Sequence, residues 1–155
     1  MRIVLFQPEI PPNTGNIARL CAATGTPLHL VEPLGFKIDD KHLKRAGLDY
    51  WPHVRLSVHP HWAACEAALT STGEPYRLIF TSARGGEPLH EFPFQPHDVI
   101  VFGPETKGLP EAVLALSPHR VRIPITDKVR SLNLSTAAGI VLYEALRQTD
   151  GLAGL

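Results

Sequence analysis

Cysteine is scarce in this sequence: Cys21 and Cys65 stand far apart, and no Cys-x-x-Cys pair occurs among the 155 residues. That excludes a disulfide scaffold and points to two reduced packing thiols in a cytosol-like compartment. An excess of one charge is also missing. Fifteen Lys and Arg balance fifteen Asp and Glu, so there is no broad cationic field, and any nucleic-acid contact must use local patches. Long apolar runs are absent too. The opening Ile3-Val4-Leu5-Phe6 meets Gln7-Pro8-Glu9 at once, too short a run for a signal peptide or a membrane span, and a cytoplasmic protein is expected. No repeat, low-complexity segment or linker divides the chain. With 44% hydrophobic and 19% charged residues, this length suits one domain that folds without metal or disulfide. Residues 1–150 are read as that domain and 151–155 as a C-terminal tail.

What the chain does have is alternation. Short β-branched or aromatic runs at Ile3–Phe6, Leu28–Val31, Val54–Val58, Leu78–Thr81, Val99–Phe102 and Val121–Ile123 predict strands. Helices are predicted between them at Gly15–Thr24, Asp39–Ala46 and His61–Leu69, briefly from Pro110, and within Ser131–Gln148, where Asn133 or Ser135 is available as a cap. Val99–Phe102 is continuously apolar, as a strand covered on both faces requires. Ala137, Ala138 and Gly139 make the last helix slim, which suits either close approach of another helix or tight packing on the sheet. The expected fold class is α/β, a mostly parallel sheet with helices on both faces. Ligands then belong in loops beyond the strands' carboxyl ends.

Three such loops carry polar groups. In the first, Gln7 to Asn16 leads into Ile17-Ala18-Arg19; Asn16 and Arg19 share a helix face, where Arg19 could approach a phosphate or a reacting hydroxyl. Asn13, Thr14 or Asn16 could equally be a plain helix cap. The second, Phe102-Gly103-Pro104-Glu105-Thr106-Lys107-Gly108-Leu109-Pro110, has the glycine spacing of a phosphate loop, but Leu109 stands where a Walker A loop needs Lys. Glu105 beyond a buried strand is read as a ligand-facing carboxylate. The third, Ile123 to Ser135, brings Ser131 and Asn133 to a helix N-terminus, where unpaired N–H groups can meet a polar ligand. Following strands of one small sheet, all three could converge on one crevice.

Other constellations are weaker. His53, His59, His61 and Cys65 form no recognised zinc frame, and Pro60 interrupts them. No metal is expected. Lys41-His42-Leu43-Lys44-Arg45 could touch RNA phosphates, although Asp39 and Asp40 beside it also fit a solvated helix. Tyr50 and Trp51 could stack on a base or anchor the core. No Ser-His-Asp order or Cys-His pair emerges as a nucleophilic device.

Together, Asn13-Thr14-Gly15-Asn16-Ile17-Ala18-Arg19, Phe102 to Pro110, and Arg122-Ile123-Pro124 through Ser131-Leu132-Asn133-Leu134-Ser135 resemble the SPOUT superfamily of trefoil-knotted RNA methyltransferases. Pro8-Glu9-Ile10-Pro11-Pro12 and Ala46-Gly47-Leu48-Asp49-Tyr50 narrow the likeness to the compact tRNA wobble-nucleotide 2′-O-methyltransferases, which act on cytidine or modified uridine in leucine tRNAs. The resemblance implies a C-terminal trefoil knot, S-adenosylmethionine as methyl donor with S-adenosylhomocysteine as product, a homodimer through the helix bearing Tyr143, and the tRNA anticodon stem-loop as partner. It further implies Arg19, Asn16, Ser131 and Asn133 as catalytic residues. The implied cofactor contacts are Phe80, Thr81, Gly103, Glu105, Gly108, Ile123, Ser131 and Leu132. Lys41, Lys44, Arg45 and Arg130 are expected to face RNA. A noncatalytic RNA-binding module that kept the knot, or a related ribosomal RNA methyltransferase, stays as an alternative.

Overall fold

The computed structural model describes residues 1–39, 41 and 50–155. The helix expected over Asp39–Ala46, with Lys44 and Arg45, lies outside them except for Asp39 and the exposed Lys41. In chain order the elements are β1 (Arg2–Phe6), α1 (Pro11–Thr24), β2 (Leu28–Val31), a 3₁₀ turn (Trp51–His53), β3 (Leu56–His59), α2 (Trp62–Thr70) and β4 (Leu78–Thr81). They continue with β5 (Glu87–Pro88), β6 (Val99–Phe102), α3 (Glu111–Leu114), β7 (Arg120–Arg122) and α4 (Leu134–Gln148). The strands form one seven-stranded sheet in the order β3-β2-β1-β6-β4-β7-β5, and each recorded pairing is parallel.

Alternation along the strands divides the interior in two, because successive side chains point to opposite faces. Ile3, Leu5, Leu28, Leu30, Ile79, Ile100 and Phe102 join Ile17 and Cys21 of α1 and Ala138, Val141, Leu142 and Ala145 of α4. On the other face Val4, Phe6, Val31, Phe80, Val99 and Val101 meet Cys65 and Leu69 of α2 and Val113 of α3. Both faces are therefore covered, as the unbroken apolar strands require. Cys21 and Cys65 are free and buried, each thiol pushed up to about 12 by burial. They pack rather than react.

Several boundaries differ from the sequence reading, each for a local reason. Helix α1 begins at Pro11, four residues early, with prolines in its first turn; there the missing N–H would have had no partner in any case. Asn13, Thr14 and Asn16 consequently sit inside the helix and do not cap it. Val54 belongs to the connection after the 3₁₀ turn and β3 starts at Leu56. Strand β7 ends at Arg122, which leaves Ile123 to open the third loop. The two-residue β5, paired with β7 through Glu87 and Pro88, is too short to leave a sequence pattern. At the C-terminus, the Gly151 N–H donates to the Leu146 carbonyl at 2.8 Å, and Leu152 packs on the core.

Candidate active site

Strands β1, β6, β4 and β7 are consecutive neighbours in the sheet. Parallel pairing sends their following loops out of the same edge, so sequence-distant peptides meet there. The meeting is hydrogen-bonded. Both carboxylate oxygens of Glu105, in the loop after β6, are taken by the loop after β1: Oε1 accepts from the Glu9 N–H at 2.9 Å and Oε2 from the Ile10 N–H at 2.8 Å. In return, Glu9 Oε1 accepts from the N–H and hydroxyl of Thr106 at 3.1 and 2.7 Å. Those two donors hold the Glu9 carboxyl below its ordinary range.

Asn13 joins the third loop to this pair. Its amide nitrogen donates to Glu105 Oε2 at 3.3 Å, and its amide oxygen accepts from Asn133 Nδ2 at 3.0 Å. Asn133 in turn caps α4, its Oδ1 accepting from the N–H groups of Ser135 and Thr136. The Ser135 hydroxyl donates to the same oxygen at 2.7 Å. A chain Glu105–Asn13–Asn133–Ser135 thus spans all three loops. Asn13 is buried at 5% exposure, and it is the functional candidate that sequence reasoning missed. Its place six residues before Arg19 in the first motif was visible, but a cap satisfactorily explained an Asn at that point.

The other expected residues fall in three groups. Asn16 and Arg19 are exposed on α1, and Ser131 and Asn133 are exposed at the entry to α4. Gly103, Ile123 and Leu132 are half-buried around the loops, whereas Gly108 is exposed in the left-handed region at φ +70°. The Phe80 side chain is fully buried in the core, and its N–H donates to the His119 carbonyl at 3.0 Å. The Thr81 hydroxyl donates to the Val101 carbonyl at 3.0 Å. Lys41 and Arg130 are exposed; Lys44 and Arg45 lie outside the described residues.

The second loop closes on itself. A Cβ at Gly103 would stand 2.6 Å from the Gly108 carbonyl carbon and from the Leu109 nitrogen, distances that no side chain tolerates. Beside the third loop lies a cavity of about 260 Å³, lined by Arg84, Ile123, Ile125, Thr126 and Arg130 among others. Its walls come from the loops after β4 and β7 and are as polar as they are apolar: Ile123, Ile125 and Val129 offer surface for an adenine ring, and Arg84, Arg122, Thr126, Asp127 and Arg130 offer donors and acceptors for the polar parts of an adenosine-bearing ligand. The residues present therefore fit the implied methyl donor.

The histidine set reorganises. His61 caps α2 by accepting from the Ala64 N–H, while His59 and Cys65 meet buried His29, their ligand atoms within 4.8 Å of one another. His29 Nδ1 and His59 Nε2 are 2.9 Å apart, with ring centroids 5.1 Å apart and planes 13° from parallel. Those values place both nitrogens nearly on the line between the rings. In the neutral pair one nitrogen accepts the other's N–H.

The SpoU rRNA Methylase family profile matches residues 1–143. A tRNA (cytidine(34)-2′-O)-methyltransferase of Methylovorus glucosotrophus is 55% identical over 150 residues, covering 96% of this chain and 95% of that protein. A solved structure described as giving structural insights into 2-OH methylation of C/U34 on tRNA superposes with a TM-score of 0.88 at 52% identity, covering 95% of this chain and 94% of the other. The SpoU methyltransferase AviRb of Streptomyces viridochromogenes, solved with AdoMet, superposes with a TM-score of 0.86 at 27% identity over 96% of this chain and 60% of its own. With the three motif loops tied together at one edge of a parallel sheet, and with similarity running through nearly the whole length, the chain belongs to the SpoU rRNA Methylase family.

Proposed function

We propose that this protein transfers a methyl group from S-adenosylmethionine to the ribose 2′-hydroxyl of nucleotide 34, the wobble position, of tRNA. The observation that carries the reading is the hydrogen-bonded convergence of the first, second and third loops through Asn13, in a chain whose full-length relatives are named for that reaction. The donor, when bound, supplies an electrophilic methyl on a sulfonium. Backbone groups of the loops at Thr81, Gly103 to Gly108 and Ile123 to Leu132 would hold it, with Ile123 and Ile125 supplying apolar surface. Glu105 contributes by fixing the loop, since its oxygens already accept from Glu9, Ile10 and Asn13.

Arg19 faces the incoming sugar. A guanidinium stays protonated, so its part is to orient a phosphate or to stabilise negative charge developing on the 2′ oxygen. Asn16, three residues earlier on α1, shares its face. Ser131 presents a hydroxyl just before α4, and Asn133, which caps that helix through Oδ1 and donates one Nδ2 hydrogen to Asn13, keeps its second amide hydrogen for an electron-rich atom. Holding hydroxyl and methyl in near-attack alignment is the largest contribution open to such a site, up to about 7–11 kcal/mol in favourable cases.

Exposed Lys41, Lys128 and Arg130, with Lys44 and Arg45, form the RNA-facing set for an anticodon stem-loop. A homodimer doubles it. Ile140 and Tyr143 are 40% and 44% exposed on α4, and open space lies beside Gly139, as a helix seat for a second copy requires. The trefoil knot, the single domain over residues 1–150 and the cytoplasmic setting belong to the same reading; among the described residues no helix is long and apolar enough to cross a membrane.

The test is incubation of purified protein with labelled S-adenosylmethionine and unmodified tRNA pools, followed by mass-spectrometric mapping. Methylation of the ribose at nucleotide 34 is expected, leucine isoacceptors first. No transfer to any tRNA would overturn the assignment, and loss of donor binding by the folded protein would move it to a noncatalytic RNA-binding module.

A further inference from the structure

Arg19 is exposed, yet it is not a free-swinging cation. Its guanidinium carbon lies 4.4 Å from the centroid of the Tyr50 ring. Tyr50 is half-buried and immediately precedes the 3₁₀ turn. The turn is closed by the His53 N–H donating to the Tyr50 carbonyl at 2.9 Å and the Val54 N–H to the Trp51 carbonyl at 3.2 Å, and Trp51 packs on the core that also holds α1. The ring therefore stands on an anchored piece of backbone.

We propose that Tyr50 is a positioning residue for Arg19, its ring presenting the guanidinium to the ribose-phosphate of the incoming RNA. This rests on the reading of Arg19 as the group that meets the substrate. A carboxylate partner would also hold Arg19, but it would neutralise the charge and occupy the N–H fork. Among the described residues no carboxylate forms an ion pair with Arg19. An aromatic face attracts the cation through its quadrupole while leaving the in-plane N–H donors available for phosphate or a developing oxyanion. Of the adjacent pair Tyr50 and Trp51, one thus serves the core and the other the site.

The experiment measures kcat and KM for methyl transfer to unmodified tRNA, with melting temperatures as the fold check, in wild type, Tyr50→Phe, Tyr50→Leu, Arg19→Ala and the Tyr50→Leu, Arg19→Ala double variant. Tyr50→Phe keeps the ring and should stay within about twofold of wild type. Tyr50→Leu should lower kcat by about fivefold, the upper end of one exposed cation–ring contact, with KM for the donor unchanged, and should cost nothing further in the Arg19→Ala background. If Tyr50→Leu does not fold, Tyr50→Gln, which suits a half-buried position, should show the same loss of kcat. Equal losses in both Arg19 backgrounds, or a Tyr50→Phe as impaired as Tyr50→Leu, would overturn the proposal. So would a Tyr50→Leu that raises KM for tRNA alone, the signature of base stacking. If Arg19→Ala is impaired and Tyr50→Leu is not, only the role of Tyr50 fails. Full turnover in Arg19→Ala removes the parent reading and this proposal together.

Discussion

Asn13 uses both ends of its amide between a carboxylate and a second amide, a task that neither Asp nor Ala can perform. Asn13→Ala should lower stability by about 1–3 kcal/mol, since buried partners lose their hydrogen bonds. It should lower single-turnover methylation by about tenfold or more, as the loops lose registry; denaturant titration beside the transfer assay checks both. Asn13→Asp should be worse still, because it sets a second carboxylate against Glu105. Burial decides a parallel contrast among the ion pairs. Asp98 is 1% exposed and takes both Arg77 Nε and Nη2, at 2.8 and 2.7 Å. Arg77→Ala should therefore cost about 3–5 kcal/mol by leaving a buried charge uncompensated. Arg147→Ala, which removes an exposed i,i+3 partner of Glu144, should leave the denaturation midpoint unchanged within error. Only the Glu144–Arg147 pair could be read from spacing; Asn13 and Glu105 are 92 residues apart, and Arg77 and Asp98 are 21 apart.

At the scale of elements, three short runs rich in apolar residues were readable to the residue. Leu28–Val31, Leu78–Thr81 and Val99–Phe102 are strands with those limits, because such short apolar stretches between turn residues find their sink in a doubly covered strand. The start of α1 was not readable, since prolines mark a turn and a first helical turn equally well. Asn133 illustrates how a single residue serves element and site together. Asn133→Ala should cost about 1 kcal/mol as a lost cap, with a fall in turnover far larger than that loss of stability explains; Asn133→Ser, which caps but cannot reach Asn13 in the same way, should recover stability without recovering turnover. The second loop depends on its glycine in a stricter sense. Gly103→Ala forces a Cβ into the backbone of Gly108 and Leu109, so calorimetry should find donor binding lost or weakened by at least about tenfold while the strand core stays folded.

For the whole molecule, acid should act through the buried imidazole pair. Burial, reinforced by His59 and Arg2, lowers His29 from 6.5 to about 4, so the unfolded chain binds a proton that the folded one refuses. Its contribution to stability is complete above about pH 6.5 and is lost as pH falls toward 4. Denaturant midpoints at pH 7.5, 5.5 and 4.5 should decline, and His29→Gln should flatten that decline. Salt should act on the opposite edge of the molecule's business: with no net charge, tRNA affinity rests on local phosphate contacts, each adding a slope of about −0.7 on a log–log plot for single-stranded RNA. A salt-independent affinity would remove Lys41, Lys128 and Arg130 from the RNA-facing set. Residue order alone determined the α/β class, the parallel sheet, the reduced cysteines and the three polar loops, because apolar period and chain punctuation are local properties. Only the tertiary structure decided that Glu105 clasps the first loop, that Asn13 bridges all three, that Phe80 is core, and that His29 and not His61 partners His59. Those outcomes depend on which strands become neighbours, and hydrogen bonds between residues a hundred positions apart have no counterpart in local spacing.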